Sequence, residues 1–135
     1  MTPTAVDLAG AGRLSGIELG PSGWLRLEQE RLERFARATG EAAGPRVPPM
    51  LLVSLAVRLR QELLRVDGVR TTVNYGLDAL RVHGDAVVGD RIRLRAAVEE
   101  AAEAPGGLQL VIAHVVEGAG SRPVLSWRGI QRLLR

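Results

Sequence analysis

Residues 50–64 read MLLVSLAVRLRQELL, and the fold turns on how that stretch is packed. Wound as a helix, its first half carries apolar side chains on nearly every side. A surface helix keeps one polar face, so a helix of this kind has to be enclosed by other elements. Pro48 and Pro49 precede it. Proline suits a first helical turn, where the backbone N–H groups have no intrahelical acceptor. The segment therefore reads as a central helix that the rest of the chain must wrap.

The wrapping material lies downstream. After Asp67-Gly68 the apolar residues change to a period of two, which marks strands with one buried face. Short strands are expected at Thr71–Leu77 (TTVNYGL) and Ala79–His83 (ALRVH). In Arg91–Val98, RIRLRAAV, Ile92, Leu94, Ala96 and Val98 alternate with Arg91, Arg93 and Arg95. Pro105-Gly106-Gly107 reads as a turn, and Leu108–Glu117 and Val124–Leu134 complete an antiparallel meander. Glu99, Glu100 and Glu103 read as a solvated loop near a hairpin end. Asp78, Asp85 and Asp90 read as turn residues. The expected architecture is α+β, a sheet of about four long strands around the enclosed helix.

Upstream, Leu27–Thr39 (LEQERLERFARAT) is amphipathic, with Leu32, Phe35 and Ala36 at i, i+3 and i+4, and Gly40 ends it. Gly16–Leu27 reads as a turn and a short strand. Residues 1–15 are small and polar and are expected to form a flexible segment ahead of a single domain over 16–135. Residues 41–49 hold Gly44, Pro45, Pro48 and Pro49 and cannot form regular structure.

Bulk properties narrow the function classes. The chain has 135 residues and no internal repeat, and 46% of its residues are hydrophobic. A chain of this size buries roughly two-thirds of its unfolded surface, so it needs no metal or disulfide staple. It has no Cys, which removes thiolate chemistry, and only two His, His83 and His114, without metal-ligand spacing. No metal and no cofactor are expected. All 18 basic residues are Arg, the net charge is only +3, and aromatic residues make up 3% of the chain. Base-stacking platforms are scarce, so nucleic-acid binding is not expected. No run of apolar residues is long enough to span a membrane. The first residues lack a basic start followed by an apolar stretch, so a cytoplasmic location is expected. Arg clusters could meet an acidic carrier protein or the phosphates of coenzyme A, or could simply be solvated surface.

Three blocks carry a family resemblance: residues 22–41, SGWLRLEQERLERFARATGE; residues 48–55, PPMLLVSL; and residues 74–98, NYGLDALRVHGDAVVGDRIRLRAAV. In order and spacing they resemble the MaoC-like hydratase/dehydratase branch of the hot-dog fold, over roughly residues 23–134. That resemblance implies an antiparallel sheet around a central helix. It also implies a paired, dimeric assembly and chemistry on an acyl thioester of coenzyme A or an acyl carrier protein. In the family, an Asp after the first helix and a His five residues later handle the water. The backbone N–H of a Gly opening the central helix faces the thioester oxygen.

Carried over by position, the Asp becomes Glu41, the His becomes Arg46, and the His-Gly pair becomes Pro48-Pro49. Proline has no N–H to donate; Met50 N–H is the nearest substitute. Ser54 matches the family's Ser on the central helix, and also suits a packing residue bonded one turn back. Glu41, Tyr75 and His83 are the candidate catalytic residues, and Met50 and Ser54 the candidate substrate contacts. Each has a plainer alternative: Glu41 as an exposed carboxylate past a helix end, Tyr75 as a sheet-packing aromatic. His114, on the Leu108, Leu110, Ile112 and Val116 face, reads as a packing residue.

The expected role is the non-catalytic partner subunit of a (3R)-hydroxyacyl dehydratase (a lyase) in fatty-acid or polyketide metabolism. The alternative is an isomerase or cyclase acting on a polyketide or acyl intermediate, since positioning alone contributes several kcal/mol.

Overall fold

The computed structural model describes residues 3–42 and 44–135. The helix read from residues 50–64 is present as α3, Pro49–Leu63, and it is the centre of the structure. Leu51, Leu52, Val53, Leu55, Ala56, Leu59 and Leu63 on it are all buried. Helix α2 spans Gln29–Thr39 and stops at Gly40, whose φ of 82° is a left-handed conformation that glycine adopts without strain. Ahead of these lie β1 (Thr4–Asp7), α1 (Leu8–Ala11), β2 (Glu18–Leu19) and β3 (Leu25–Arg26). After α3 come β4 (Leu64–Asp67), β5 (Thr71–Val82), β6 (Arg91–Ala104), β7 (Gly107–Glu117) and β8 (Pro123–Leu134).

The main sheet has the order β2-β6-β7-β8-β5, and β3 also pairs with β6. All of its pairs are antiparallel. The period-two reading of β6 holds: Ile92, Leu94, Ala96 and Val98 are buried. With Leu110 and Ile112 of β7 and Leu125 of β8 they form the apolar face that meets α3. Each such Leu or Ile, fully removed from water, contributes about 1.5–3 kcal/mol. The architecture is therefore α+β, as the sequence implies. No helix among the described residues is long and apolar enough to cross a membrane.

Several local expectations are corrected. The two short strands expected at 71–77 and 79–83 are one strand, β5. Irregularities between Asn74 and Gly76 and between Asp78 and Arg81 absorb the break, with Ala79 at φ 54°. β5 is not part of a consecutive meander either, because it lies beyond β8 at the sheet edge. Glu99, Glu100 and Glu103 are strand residues of β6, not a loop. Glu99 pairs with Arg128 at 3.2 Å and Glu103 with Arg135 at 3.3 Å, exposed pairs that offset part of the repulsion within the acidic run. Leu64, expected in the helix, begins β4, which pairs in parallel with β1. Of the segment 1–15, expected to be flexible, residues 1 and 2 lie outside the described residues and the rest contains β1 and α1. Val6 and Leu8 pack on the core, and Ala11 and Leu14 are buried in it, so four apolar residues among small polar ones suffice to dock the segment.

At the far end of β7, Glu117 is buried and accepts from Arg93 Nε and Arg95 Nε, both at 2.9 Å. Removing one partner of a fully buried pair costs about 3–5 kcal/mol. Here the Arg93 and Arg95 side chains keep 19% and 49% of their exposure, so water recovers part of that. Glu117→Ala is expected to lower unfolding free energy in urea by about 2 kcal/mol. A loss under about 0.5 kcal/mol, the scale of an exposed pair, would contradict the assignment.

Candidate functional site

The loop between α2 and α3 is stitched to the segment after β5. Val47 N–H donates to Ala86 O at 2.8 Å, and Val88 N–H donates to Pro45 O at 2.9 Å. Between them Arg46 forms a bridge with Val87, and its guanidinium lies 2.7 Å from the Asp85 carboxylate. The hydrogen bond and charge of Asp85 raise the Arg46 pKa further above its already high value. Asp85 is thus an ion-pair partner rather than only a turn residue. Asp90 does serve a turn, with its Oδ2 accepting from Val87 N–H at 3.0 Å.

Glu41 follows Gly40 and is exposed. Its backbone N–H reaches Thr39 Oγ1 at 3.2 Å, and Thr39 Oγ1 itself donates to Phe35 O, so the helix end closes on itself. Pro48 O accepts from Leu51 and Leu52 N–H at 3.0 and 3.3 Å. Among the described residues no backbone acceptor meets Met50 N–H. Met50 is 49% exposed, and Ser54, one turn on, is exposed too. Ser54 Oγ donates to Met50 O at 3.1 Å, a bond internal to the helix. α3 is therefore enclosed on all but one stripe, where Met50, Ser54 and Arg58 follow at intervals of four.

Tyr75 stands on edge strand β5, 61% exposed, with the Arg132 guanidinium 4.3 Å from its ring centroid. His83 follows β5, its ring nitrogen Nε2 2.6 Å from Ser126 Oγ. Among the described residues no hydrogen bond links Glu41, Tyr75 and His83 to one another. The structure places Tyr75 and His83 along one exposed edge and Glu41 at a helix end.

A second polar centre, not found from the sequence, lies under the C-terminal half of α3. Arg60 is only 5% exposed. Its Nη1 donates to His114 Nε2 at 2.9 Å and its Nη2 approaches Asn74 Oδ1 at 3.5 Å. Gln131 Nε2 donates to the same Asn74 oxygen at 3.3 Å. Because a guanidinium only donates, His114 Nε2 must accept, which puts the imidazole proton on Nδ1. That nitrogen is buried and has no hydrogen-bond partner. The ring stacks on Trp127, its cross-strand neighbour, with centroids 4.7 Å apart. Gly129 makes room, since a Cβ there would stand 2.9 Å from His114 Cε1. His114 is more than the packing residue expected, for it orients Arg60. The signal was available: Leu52, Ala56 and Arg60 are spaced by four, which puts Arg60 on the buried face.

Burial, and then the Arg60 charge, lower the His114 pKa to about 3. Burial lowers that of Arg60 to about 10. The folded imidazole is neutral, whereas an unfolded His takes a proton near pH 6.5. Between about pH 6.5 and 3 the unfolded state binds more protons. The stability tied to His114 is therefore complete above about 6.5 and is lost as pH falls, by at most about 1.4 kcal/mol per pH unit. Urea unfolding at pH 7 and pH 5.5 should show a steeper loss for the wild type than for His114→Gln. Equal slopes would contradict a buried neutral imidazole.

No family model matches the chain. It is 30% identical to 3-hydroxyacyl-thioester dehydratase Z of Mycobacterium tuberculosis over 134 residues, covering 87% of each protein. Among solved structures, one described as a monoamine oxidase regulatory protein of Archaeoglobus superposes with a TM-score of 0.79 at 15% identity, covering 100% of this chain and 99% of that one. The HadBC (3R-hydroxyacyl-ACP dehydratase) complex of Mycobacterium tuberculosis superposes with a TM-score of 0.66 at 16% identity, covering 88% and 97%. The chain belongs to the MaoC-like 3-hydroxyacyl-thioester dehydratase family of the hot-dog fold.

Proposed function

We propose that the chain binds an acyl thioester of coenzyme A or an acyl carrier protein as the non-catalytic partner subunit of a (3R)-hydroxyacyl dehydratase, in fatty-acid or polyketide metabolism. The observation that carries this reading is the occupation of the loop ahead of α3. Arg46, at the position matching the family's water-handling His, is a guanidinium 2.7 Å from Asp85. Such a group holds its protons throughout the working pH range and cannot accept one from water. Pro49, at the position of the helix-opening Gly, has no N–H to offer a thioester oxygen. Glu41 keeps a carboxylate, but the residue five positions on is Arg46 rather than a histidine.

The sheet edge supports pairing. Every residue of β5 is exposed, among them Val73, Tyr75, Leu77, Leu80 and Val82. The strand pairs with β8 on one side only. A 12-residue edge strand with exposed apolar side chains and an unpaired row of N–H and C=O groups is a template for another strand. A second hot-dog protomer would cover it, extend the sheet, and bring a catalytic Asp and His to the shared groove. The acyl channel would then run along the seam, past Met50 and Ser54 on the open stripe of α3.

The test is reconstitution with a hot-dog chain that carries both Asp and His. Dehydration of a (3R)-hydroxyacyl thioester should appear in the mixture and run at least about 100-fold slower with this chain alone. Val73→Asp with Tyr75→Asp should abolish co-elution and the mixture's activity. Full dehydration by the isolated chain would contradict the proposal.

A further inference from the structure

Arg60 is a charge without a counter-charge. Among the described residues no carboxylate lies within ion-pair distance of it, although seven such pairs, two of them sharing Glu117, form elsewhere among those residues. Glu117, the buried acid, has two arginines on it, whereas Arg60, the buried base, has only a neutral imidazole and an amide oxygen. A buried ion left unpaired opposes folding, and desolvation acts on Arg60 strongly enough to lower its pKa to about 10. Yet His114, Asn74 and Gln131 are arranged to hold the guanidinium in one orientation, and Gly129 makes space for the ring that does so.

The guanidinium faces an opening. A cavity of about 160 Å3 lies between α3 and the sheet, lined by Arg60, Gln61, Thr72, Asn74 and Gln131 with an apolar remainder that includes Val57 and Leu110. On this measure a single water needs only about 10–15 Å3, so several non-hydrogen atoms fit. One wall is β5, the edge at which a second protomer is proposed to pair. A guanidinium has five N–H groups, and His114 and Asn74 engage one each, so three remain.

We propose that this cavity is a subsite for a carboxylate carried on the acyl chain of the bound thioester, with Arg60 as the residue that pairs with it. The inference rests on the acyl-thioester reading above and deepens it by naming the substrate class, an acyl group ending in a second carboxylate. The planar fork of Arg matches the two oxygens of a carboxylate. A single guanidinium balances one negative charge, whereas a phosphate would bring a second, unmatched, against Val57 and Leu110. Val57, Leu64, Val66 and Leu110 in the lining suit a methylene chain, and Arg60 suits a charged head at its end.

Calorimetric titration of the purified full chain with adipoyl-CoA and hexanoyl-CoA tests this, since the two differ only at the far end of a six-carbon chain. Adipoyl-CoA should bind at least about tenfold tighter, equivalent to about 1.4 kcal/mol. Arg60→Met should lose that preference while keeping hexanoyl-CoA affinity and oligomeric state. Equal binding of the two thioesters by the wild type would overturn the subsite and leave the acyl-thioester reading standing. Binding of neither would overturn both. Dissociation of the Arg60→Met assembly would assign Arg60 to the contact between copies, which also overturns the proposal. If Arg60→Met does not fold, Asn74→Leu replaces it, and the wild-type ratio decides in any case.

Discussion

Burial of one helix by one sheet governs the rest of the molecule. α3 places Leu52, Ala56, Leu59 and Leu63 against alternate residues of β6, β7 and β8, and these positions are almost wholly withdrawn from water. A helix needs this because its apolar surface extends beyond one stripe, and an antiparallel sheet needs it because its inner face is apolar. The short elements follow from the same demand. β1, α1 and the chain through Leu14 add Val6, Leu8, Ala11 and Leu14 to the core, and β2 and β3 pair with β6.

The two ends of α3 differ in their polar surroundings. At its start, pairing of 45–47 with 86–88 fixes the preceding loop more firmly than its exposed ion pair does. Toward its end, the same helical period that buries leucines also buries Arg60. The chain accepts an unpaired charge there and surrounds it with oriented polar groups. Such a centre adds little to folding, and its cost is repaid when a ligand supplies the missing charge.

Much of the fold was legible because periodicity survives in the sequence. The enclosed helix, the Gly40 stop and the alternation of Ile92, Leu94, Ala96 and Val98 follow from local pattern. The position of β5 did not, because strand order depends on contacts between distant residues such as Asn74 and Gln131. The length of β6 did not either, since Glu99 and Glu103 resemble loop residues until Arg128 and Arg135 are seen beside them. The Arg60 centre was half legible. Its helical spacing carried a signal of burial that went unread, and its contact with His114 joins residues 54 positions apart. Glu41, Met50 and Ser54 were placed by position in the resemblance and Tyr75 and His83 by their side-chain chemistry, and their roles rest on the proposal rather than on a shared geometry.

The central claim is that the acyl groove is kept while the water-activating pair is replaced. Proton NMR of crotonyl-CoA mixed with the purified chain observes both properties in one tube. The account predicts saturable broadening of the crotonyl signals with no 3-hydroxybutyryl resonances over hours. Rapid appearance of those resonances at catalytic protein concentration, lost on Glu41→Gln, would contradict it.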